Sequence, residues 1–534
     1  MKGMYIVSIV WGILMAIFVQ GCSSQQDSEP FPRISAISSV APKAEIRQYQ
    51  AEYHGLTLSD NYHWLRDQSY PEVDDQAVID YLQAENKYFD DFLAPHAKLV
   101  DTLFEEFKGR VEESDESVPW QENGYEYRWF YRKGEDYKTW ARRKLGSVQE
   151  EIFLDEAKLS EGQEYFSLDD WQISPDNKLL AYSVDTDGSE RTVIKIKNLA
   201  TDAYLDDVLI NAAGELAFSL DSQSIVYTLL EEEKWRTKSV SVHKLGEPQS
   251  QDKVLISEAD DTFNLGFRLT SSQQYFVVTA RNYEQTEVSV FDAKDLSQKP
   301  MQLNSREQNF LLTVDHGNGY FYMLSNDTHV NFRLSKTKDS MPGYSHWQTV
   351  VAGNQSHYLT DLKVFDNFIA LSQTIQGLES ISIYPDASKP YEIEFPEDVA
   401  HVSIGNNPEF KQTHLRINYE SMITPVSVFD YDLTAKSLLL QKASTIPSGY
   451  DKDQYQTKRL MAKARDGVQV PVTLVYKKGF RQDASQPVFL YGYGAYGTAL
   501  PPYFSTLRLS LLDRGFAYAF AHVRGGMSWV TNGI

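Results

Sequence analysis

Ser174-Pro175-Asp176-Asn177 is followed by Leu179-Leu180-Ala181-Tyr182-Ser183-Val184, a polar turn, and then Thr192-Val193-Ile194-Lys195-Ile196-Lys197-Asn198-Leu199. Pro, Asp and Asn are turn formers, and the runs after them are rich in β-branched and apolar residues that suit strands. The unit of polar turn, strand, polar turn and strand recurs. It is seen from Gly124 to Leu145 and from Ser219 to Leu245, and further copies start at Ser271 and near Asn318, Asp366 and Glu409. The copies stand roughly 45 to 50 residues apart, which is the spacing of propeller blades. One blade cannot bury both faces of its sheet, so blades pack radially about a channel. A β-sandwich or an irregular all-β domain is the competing arrangement. The regular spacing favours a seven-bladed β-propeller over residues 112–442.

On the N-terminal side, residues 43–111 carry helical signals and read as a short helical element. From Glu72 to Phe92 apolar residues recur at three- and four-residue steps (Val78, Tyr81, Leu82, Tyr88, Phe92), and Leu99–Phe107 reads as a second helix. On the C-terminal side the pattern changes again. Strand-like runs occupy Arg459–Ala464, Val470–Lys478, Pro487–Gly494 and Phe516–Val523, with a helix between the last two that stops at Gly515. Two nearly continuous apolar strands joined through a helix predict the start of a buried, mostly parallel sheet over residues 443–534.

The chain has 534 residues and a net charge of −23. That length exceeds a single hydrophobic core, so several domains are expected. Nucleic-acid binding requires a basic face and is excluded as a leading reading. The acidity suits attraction of cationic peptides, and it serves solubility equally well.

At the N-terminus Lys2 precedes an apolar run from Met4 to Val19, short for a membrane span and right for a signal peptide. Gly21 stands directly before Cys22, the only cysteine in the chain. The pattern resembles a bacterial lipoprotein box, which implies a signal peptide over 1–21, a lipid on Cys22 and a membrane anchor; an ordinary signal peptide or signal anchor is the alternative. Ser23 and Ser24 follow Cys22. In lipoproteins Asp there favours inner-membrane retention, so the expected location is the periplasmic face of an outer membrane. Residues 22–42 read as a polar tether.

Gly492-Tyr493-Gly494-Ala495-Tyr496-Gly497 matches G-x-G-x-x-G after a strand. A dinucleotide site would need a helix at once, and Pro501-Pro502 stand where it should run. No cofactor is expected. Nor is a metal, since no helical H-E-x-x-H or paired Cys-x-x-Cys occurs. No G-x-S-x-G occurs either. Ser528 lies between Met527 and Trp529 without the second glycine and reads as non-catalytic.

Four stretches together carry a family resemblance: Asn61–Asp67 (NYHWLRD), Asp466–Lys478 (DGVQVPVTLVYKK), Pro487–Gly497 (PVFLYGYGAYG) and Leu509–Gly526 (LSLLDRGFAYAFAHVRGG). In this order the chain resembles the prolyl oligopeptidase family, and within it oligopeptidase B. The resemblance runs from Lys43 to Gly526. It implies a propeller followed by the N-terminal part of an α/β-hydrolase domain, and a serine peptidase that acts on short peptides after Arg or Lys. It also implies that Tyr493 donates its hydroxyl to the oxyanion and that Tyr496 lies near the substrate pocket. The family's Ser, Asp and His match nothing in these residues, so the chain as it stands is expected to be catalytically incomplete. Family members commonly continue R-G-G as D-E-L-G-H-K-W-Y. Removing one base from the run of G in a suitable coding yields Gly-Gly-Met-Ser-Trp-Val-Thr-Asn-Gly, the residues written at 525–533, which predicts a frameshift. The rival expectations are a non-catalytic periplasmic propeller that binds peptides or a partner, and a product without function.

Overall fold

The computed structural model describes residues 40–70 and 72–525. The expected signal peptide with Cys22, most of the expected tether, and residues 526–534 with Ser528 lie outside the described residues. The described residues form two compact units, 40–111 with Arg481–Pro487, and Glu112–Phe480 with 488–525.

In the first unit, Gln76–Leu93 and Ala97–Lys108 are helices. The first starts later than Glu72 because Asp75 caps it, accepting from the Ala77 N–H at 2.8 Å. Asp67, from the NYHWLRD stretch, organises the approach. Its carboxylate accepts from the N–H groups of Ser69, Asp74 and Asp75 at 2.7–2.9 Å. These donors favour the charged form and hold its pKa down at about 2. Residues 49–60 depart from the helical expectation. Tyr49–Tyr53 and Leu56–Asp60 pair as an antiparallel hairpin. Its turn residues, His54 and Gly55, both have positive φ (51° and 80°). A two-residue turn of that kind matches the strand twist and overrides the weak helical spacing.

The second unit contains the propeller. Blade 1 is Trp120–Glu122, Tyr125–Tyr131, Lys138–Lys144 and Glu150–Asp155. Blade 2 opens with Ser167–Ile173, Leu179–Asp185 and Thr192–Asn198. Blade 3 ends with Ser224–Leu230, Thr237–Lys244 and Lys253–Ser257. Blade 4 is Asn264–Leu269, Tyr275–Arg281, Thr286–Asp292 and Met301–Gln302. Blade 5 is Leu312–Gly317, Tyr320–Ser325, Arg333–Lys338 and Gln348–Val351. Blade 6 is His357–Val364, Phe368–Ile375, Leu378–Pro385 and Tyr391–Glu392. Blade 7 is Ala400–Ile404, His414–Ser421, Ser427–Asp432 and Ser437–Ala443. All pairings within blades are antiparallel between strands adjacent in sequence.

Blades 2 and 3 share one 15-residue strand, Tyr204–Phe218. Its first part pairs with Thr192–Asn198 and its last part with Ser224–Leu230. The register slips twice along the first pairing. There side chains replace the ladder: the Ile210 N–H donates to Gln249 Oε1, and Gln249 Nε2 returns a bond to the Ile210 carbonyl, both at 3.1 Å. Beside this point His243 is fully buried between two carboxylates. Nδ1 lies 2.7 Å from Asp252 Oδ1 and Nε2 lies 2.9 Å from Asp207 Oδ1. Tyr227 donates to Asp252 Oδ2 at 2.6 Å, and the Gly246 N–H donates to Asp207 Oδ1 at 2.6 Å.

Alternating inward residues pack blade against blade. Val226 and Val240 of blade 3 meet Phe276 and Val278 of blade 4. Val277 and Val288 of blade 4 then meet Val314 and Phe321 of blade 5. Similar apolar layers join blades 1–2, 2–3, 5–6 and 6–7. Among the described residues the junction of blades 7 and 1 has no such layer. It is polar: the Asn123 N–H donates to Glu409 Oε1 at 2.8 Å, Arg416 Nη1 donates to the Pro119 carbonyl at 2.7 Å, and Lys442 bonds Asp115 and the Glu116 carbonyl.

After the propeller comes a four-stranded sheet in the order Tyr455–Lys463, Gln469–Lys477, Ala517–Ala521, Val488–Gly492. Only the last pairing is parallel. The expectation of a buried strand at Pro487–Gly494 is corrected, because Val488–Gly492 is an edge strand with Leu490 65% exposed. The helix before Gly515 is shorter than its sequence pattern and covers Arg508–Asp513. The sheet is seated on blade 7 by a core of Met422, Ile446, Val475, Leu509, Leu512 and Phe520. Polar ties add to it: the Phe504 N–H donates to Glu420 Oε2 at 2.8 Å, Tyr450 donates to the Ile423 carbonyl at 2.6 Å, and Arg459 Nη2 donates to the Gln376 carbonyl of blade 6 at 2.7 Å.

Candidate active site

The loop Gly492–Gly497 leaves the C-terminal end of the parallel strand Val488–Gly492. It is held from two sides. The Thr498 N–H donates to the Ala495 carbonyl and the Gly497 N–H to the Gly525 carbonyl, each at 3.0 Å. Gly525 has φ 92°, and a Cβ there would lie 2.2 Å from the Gly494 carbonyl oxygen. Only glycine lets the two backbones approach this closely. Arg524, next to it, is ion-paired with Asp466 in the turn between the first two strands of the sheet. The motifs DGVQVPVTLVYKK, YGYGAYG and HVRGG, far apart in sequence, therefore meet at one point.

Tyr493 is 41% exposed on this loop. Tyr496 is 82% exposed and has φ 56°. An aromatic residue in the left-handed region is uncommon and marks strain held by its surroundings. Beneath the loop His522 is buried, with Nε2 2.9 Å from Thr473 Oγ1. Burial, with the Arg459 charge adding to it, pushes the His522 pKa down to about 4. His522 therefore sits neutral as a packing group and hydrogen-bond partner.

No helix starts at Gly497, since the next one begins at Arg508. The glycines thus face no helix N-terminus of the kind that cradles a pyrophosphate. Among the described residues no group of three or more His, Cys, Asp and Glu could hold a metal ion. One serine does contact a histidine, Ser272 Oγ to His316 Nδ1 at 2.7 Å. It is no nucleophile pair: His316 is fully buried between the rings of Tyr275 and Phe321, where no substrate reaches it.

A residue absent from the sequence argument also reaches the site. Tyr283, in the turn between the second and third strands of blade 4, lies with its ring centroid 6.3 Å from that of Tyr496. Its only signal in the sequence is a large aromatic residue in an otherwise polar turn.

Comparison with known proteins agrees with this architecture. Residues 42–444 match a family profile described as the prolyl oligopeptidase N-terminal beta-propeller domain. The chain is 32% identical to dipeptidyl aminopeptidase BI of Pseudoxanthomonas mexicana, over 95% of this chain and 72% of the relative. It is 29% identical to protease 2 of Moraxella lacunata, over 91% and 70%. Among solved structures, oligopeptidase B from Leishmania major superposes with a TM-score of 0.84 at 26% identity, covering 92% of this chain and 73% of that one. Oligopeptidase B from Trypanosoma brucei, with antipain covalently bound, gives 0.84 at 27% identity, covering 92% and 72%.

Proposed function

Because the chain belongs to the prolyl oligopeptidase family of serine peptidases, we propose that it serves the hydrolysis of short peptides after Arg or Lys, with Tyr493 as an oxyanion donor. The observation that carries the reading is the placement of Tyr493. It is solvent-accessible on a loop pinned through Gly497 and Gly525, at the C-terminal end of a parallel strand. We read this sheet as the N-terminal part of an α/β-hydrolase domain. When a serine attacks the scissile carbonyl, negative charge develops on its oxygen. A donor fixed in advance stabilises that charge without reorganising during the reaction. Tyr493 supplies the donor, Tyr496 lines the substrate pocket, and the net charge of −23 favours cationic peptides.

These residues contain no G-x-S-x-G, and a donor tyrosine alone offers neither nucleophile nor base. The 534-residue chain is therefore expected to hydrolyse Arg- and Lys-containing peptides no faster than background. Turnover of these peptides by the 534-residue chain would defeat this part of the reading. The likeness to a dipeptidyl aminopeptidase favours a second form of it, release of N-terminal dipeptides. An N-acetylated substrate separates the two, since only an endopeptidase cleaves it.

We place the protein on the periplasmic face of an outer membrane through a lipid on Cys22. The short apolar run ending at Gly21 and the single cysteine support this. Each buried methylene of a lipid chain contributes about 0.8 kcal/mol to membrane partitioning. Cys22→Ser should move the protein from the membrane to the soluble fraction, and unchanged fractionation would remove the anchor.

A further inference from the structure

We infer that Asp466 and Arg524 are positioning residues: their ion pair holds Gly525 against the Gly492–Gly497 loop and so fixes where the Tyr493 side chain stands. The inference rests on the reading of Tyr493 as an oxyanion donor and adds two residues to it.

The carboxylate is set before the arginine meets it. Asp466 lies in the turn 464–468, between the strands Tyr455–Lys463 and Gln469–Lys477. The Gly467 N–H donates to the Ala464 carbonyl at 2.9 Å, and the Ala464 N–H donates to the Val468 carbonyl at 2.8 Å. Gly467 has φ 88°, a left-handed conformation that glycine adopts without steric cost. Asp466 Oδ1 accepts the Val468 N–H at 3.2 Å, and Oδ2 takes the Arg524 guanidinium. Arg524, with the Val468 N–H adding to it, holds the Asp466 carboxyl below the usual carboxylate range, so the pair is charged at neutral pH.

From Arg524 the constraint passes through one peptide bond to Gly525, which meets the loop at two points. The Gly525 carbonyl accepts the Gly497 N–H at 3.0 Å. Its Cα stands so close to the Gly494 carbonyl that no Cβ fits between them. Gly494 follows Tyr493 directly. A shift of Arg524 therefore moves the backbone on which the Tyr493 side chain is mounted, although the pair itself lies outside the loop.

The pair is poorly suited to any other task. Both side chains are about half exposed, 50% for Arg524 and 47% for Asp466. An exposed pair adds little to global stability, because water solvates the separated charges well. Placement is more demanding. An oxyanion donor acts within about 2.7–3.1 Å of the developing charge, and a shift of about 1 Å can cost about a hundredfold in rate. An interaction too weak to matter for folding can still select one loop position among several.

The test is fluorine NMR of the 534-residue protein carrying fluorotyrosine at position 493, with a second sample labelled at Tyr344 of blade 5 as a distant reference. The unsubstituted chain should give one narrow resonance from position 493. Arg524→Gln and Asp466→Asn should each broaden or split it, and the double variant no further than either, since all three break the same bond. Asp466→Asn keeps an oxygen for the Val468 N–H, so the turn stays. Arg524→Lys keeps the charge and should remain nearer the unsubstituted spectrum. Salt at about 1 M cuts the screening length to about 3 Å. It should broaden the resonance of the unsubstituted chain and leave that of Arg524→Gln as it is. The Tyr344 resonance and the melting transition should be alike in all variants. A narrow resonance at 493 in Arg524→Gln overturns the inference, as does a broad one in the unsubstituted chain or an equal change at Tyr344. These outcomes do not depend on the chemical role of Tyr493, which Tyr493→Phe decides separately through kcat.

Discussion

In any form of the chain that turns over peptide substrate, Tyr493→Phe should lower kcat by about ten- to a thousandfold, the cost expected for one oxyanion donor. KM should change little, because the hydroxyl acts on charge that appears only in the transition state. The substitution removes one oxygen from a side chain already 41% exposed, so the loop should keep its fold. That loop is held by backbone bonds at Gly497 and Thr498, which the substitution leaves in place. Steady-state kinetics on an Arg substrate decides the matter: an unchanged kcat takes Tyr493 out of the mechanism. A rise in KM alone would make Tyr493 a ground-state contact instead.

His243→Ala should destabilise the propeller by about 2–5 kcal/mol, because it leaves a cavity and takes a hydrogen-bond partner from each of two buried carboxylates. The alanine would leave Asp207 and Asp252, each 6% exposed, facing each other's charge with their shared partner gone. The Gly246 N–H and the Tyr227 hydroxyl still reach one carboxylate each, but neither fills the space the imidazole leaves. The damage falls where blade 2 hands its strand to blade 3, at a point already lacking regular ladder bonds. Scanning calorimetry should show a lower main transition for His243→Ala. A partial recovery is expected when Asp207→Asn and Asp252→Asn are added, since both charges then disappear. A variant that melts with the wild type would show that the cluster is uncoupled from global stability.

The propeller was legible because its turns repeat. Ser174-Pro175-Asp176-Asn177 and its counterparts announce the start of each strand pair, and the strand pairs follow in order. The shared strand Tyr204–Phe218 was not legible. Gly214 stands within it and reads as a break, whereas the structure uses it as a kink with φ 98° against Asp169. The His243 cluster was equally hidden, since its members lie 9 and 36 residues away and meet only through sheet pairing. Tyr493 and Tyr496 were proposed through a motif. Tyr283 was not, because a single aromatic in a turn has no periodicity to reveal it. The hairpin at 49–60 was lost for a local reason: its turn depends on His54 adopting a positive φ, which side-chain spacing does not report.

The junction of blades 7 and 1 gives the propeller an uneven compliance. Six of its joints are greased with side chains such as Phe276, Phe321 and Tyr419, and sliding them open exposes apolar surface to water. The seventh is a clasp of hydrogen bonds and charges: Asn123, Glu409, Arg416, Lys442 and Asp115. Water can replace those partners one for one, so parting the clasp carries a far smaller penalty than parting any greased joint. Ions in solution weaken it further by screening, over a length of about 8 Å at physiological salt. The ring thus behaves as a stiff hoop with one electrostatic hinge. Any opening of the ring is therefore expected first at this joint, between the first and the last blade of the circuit.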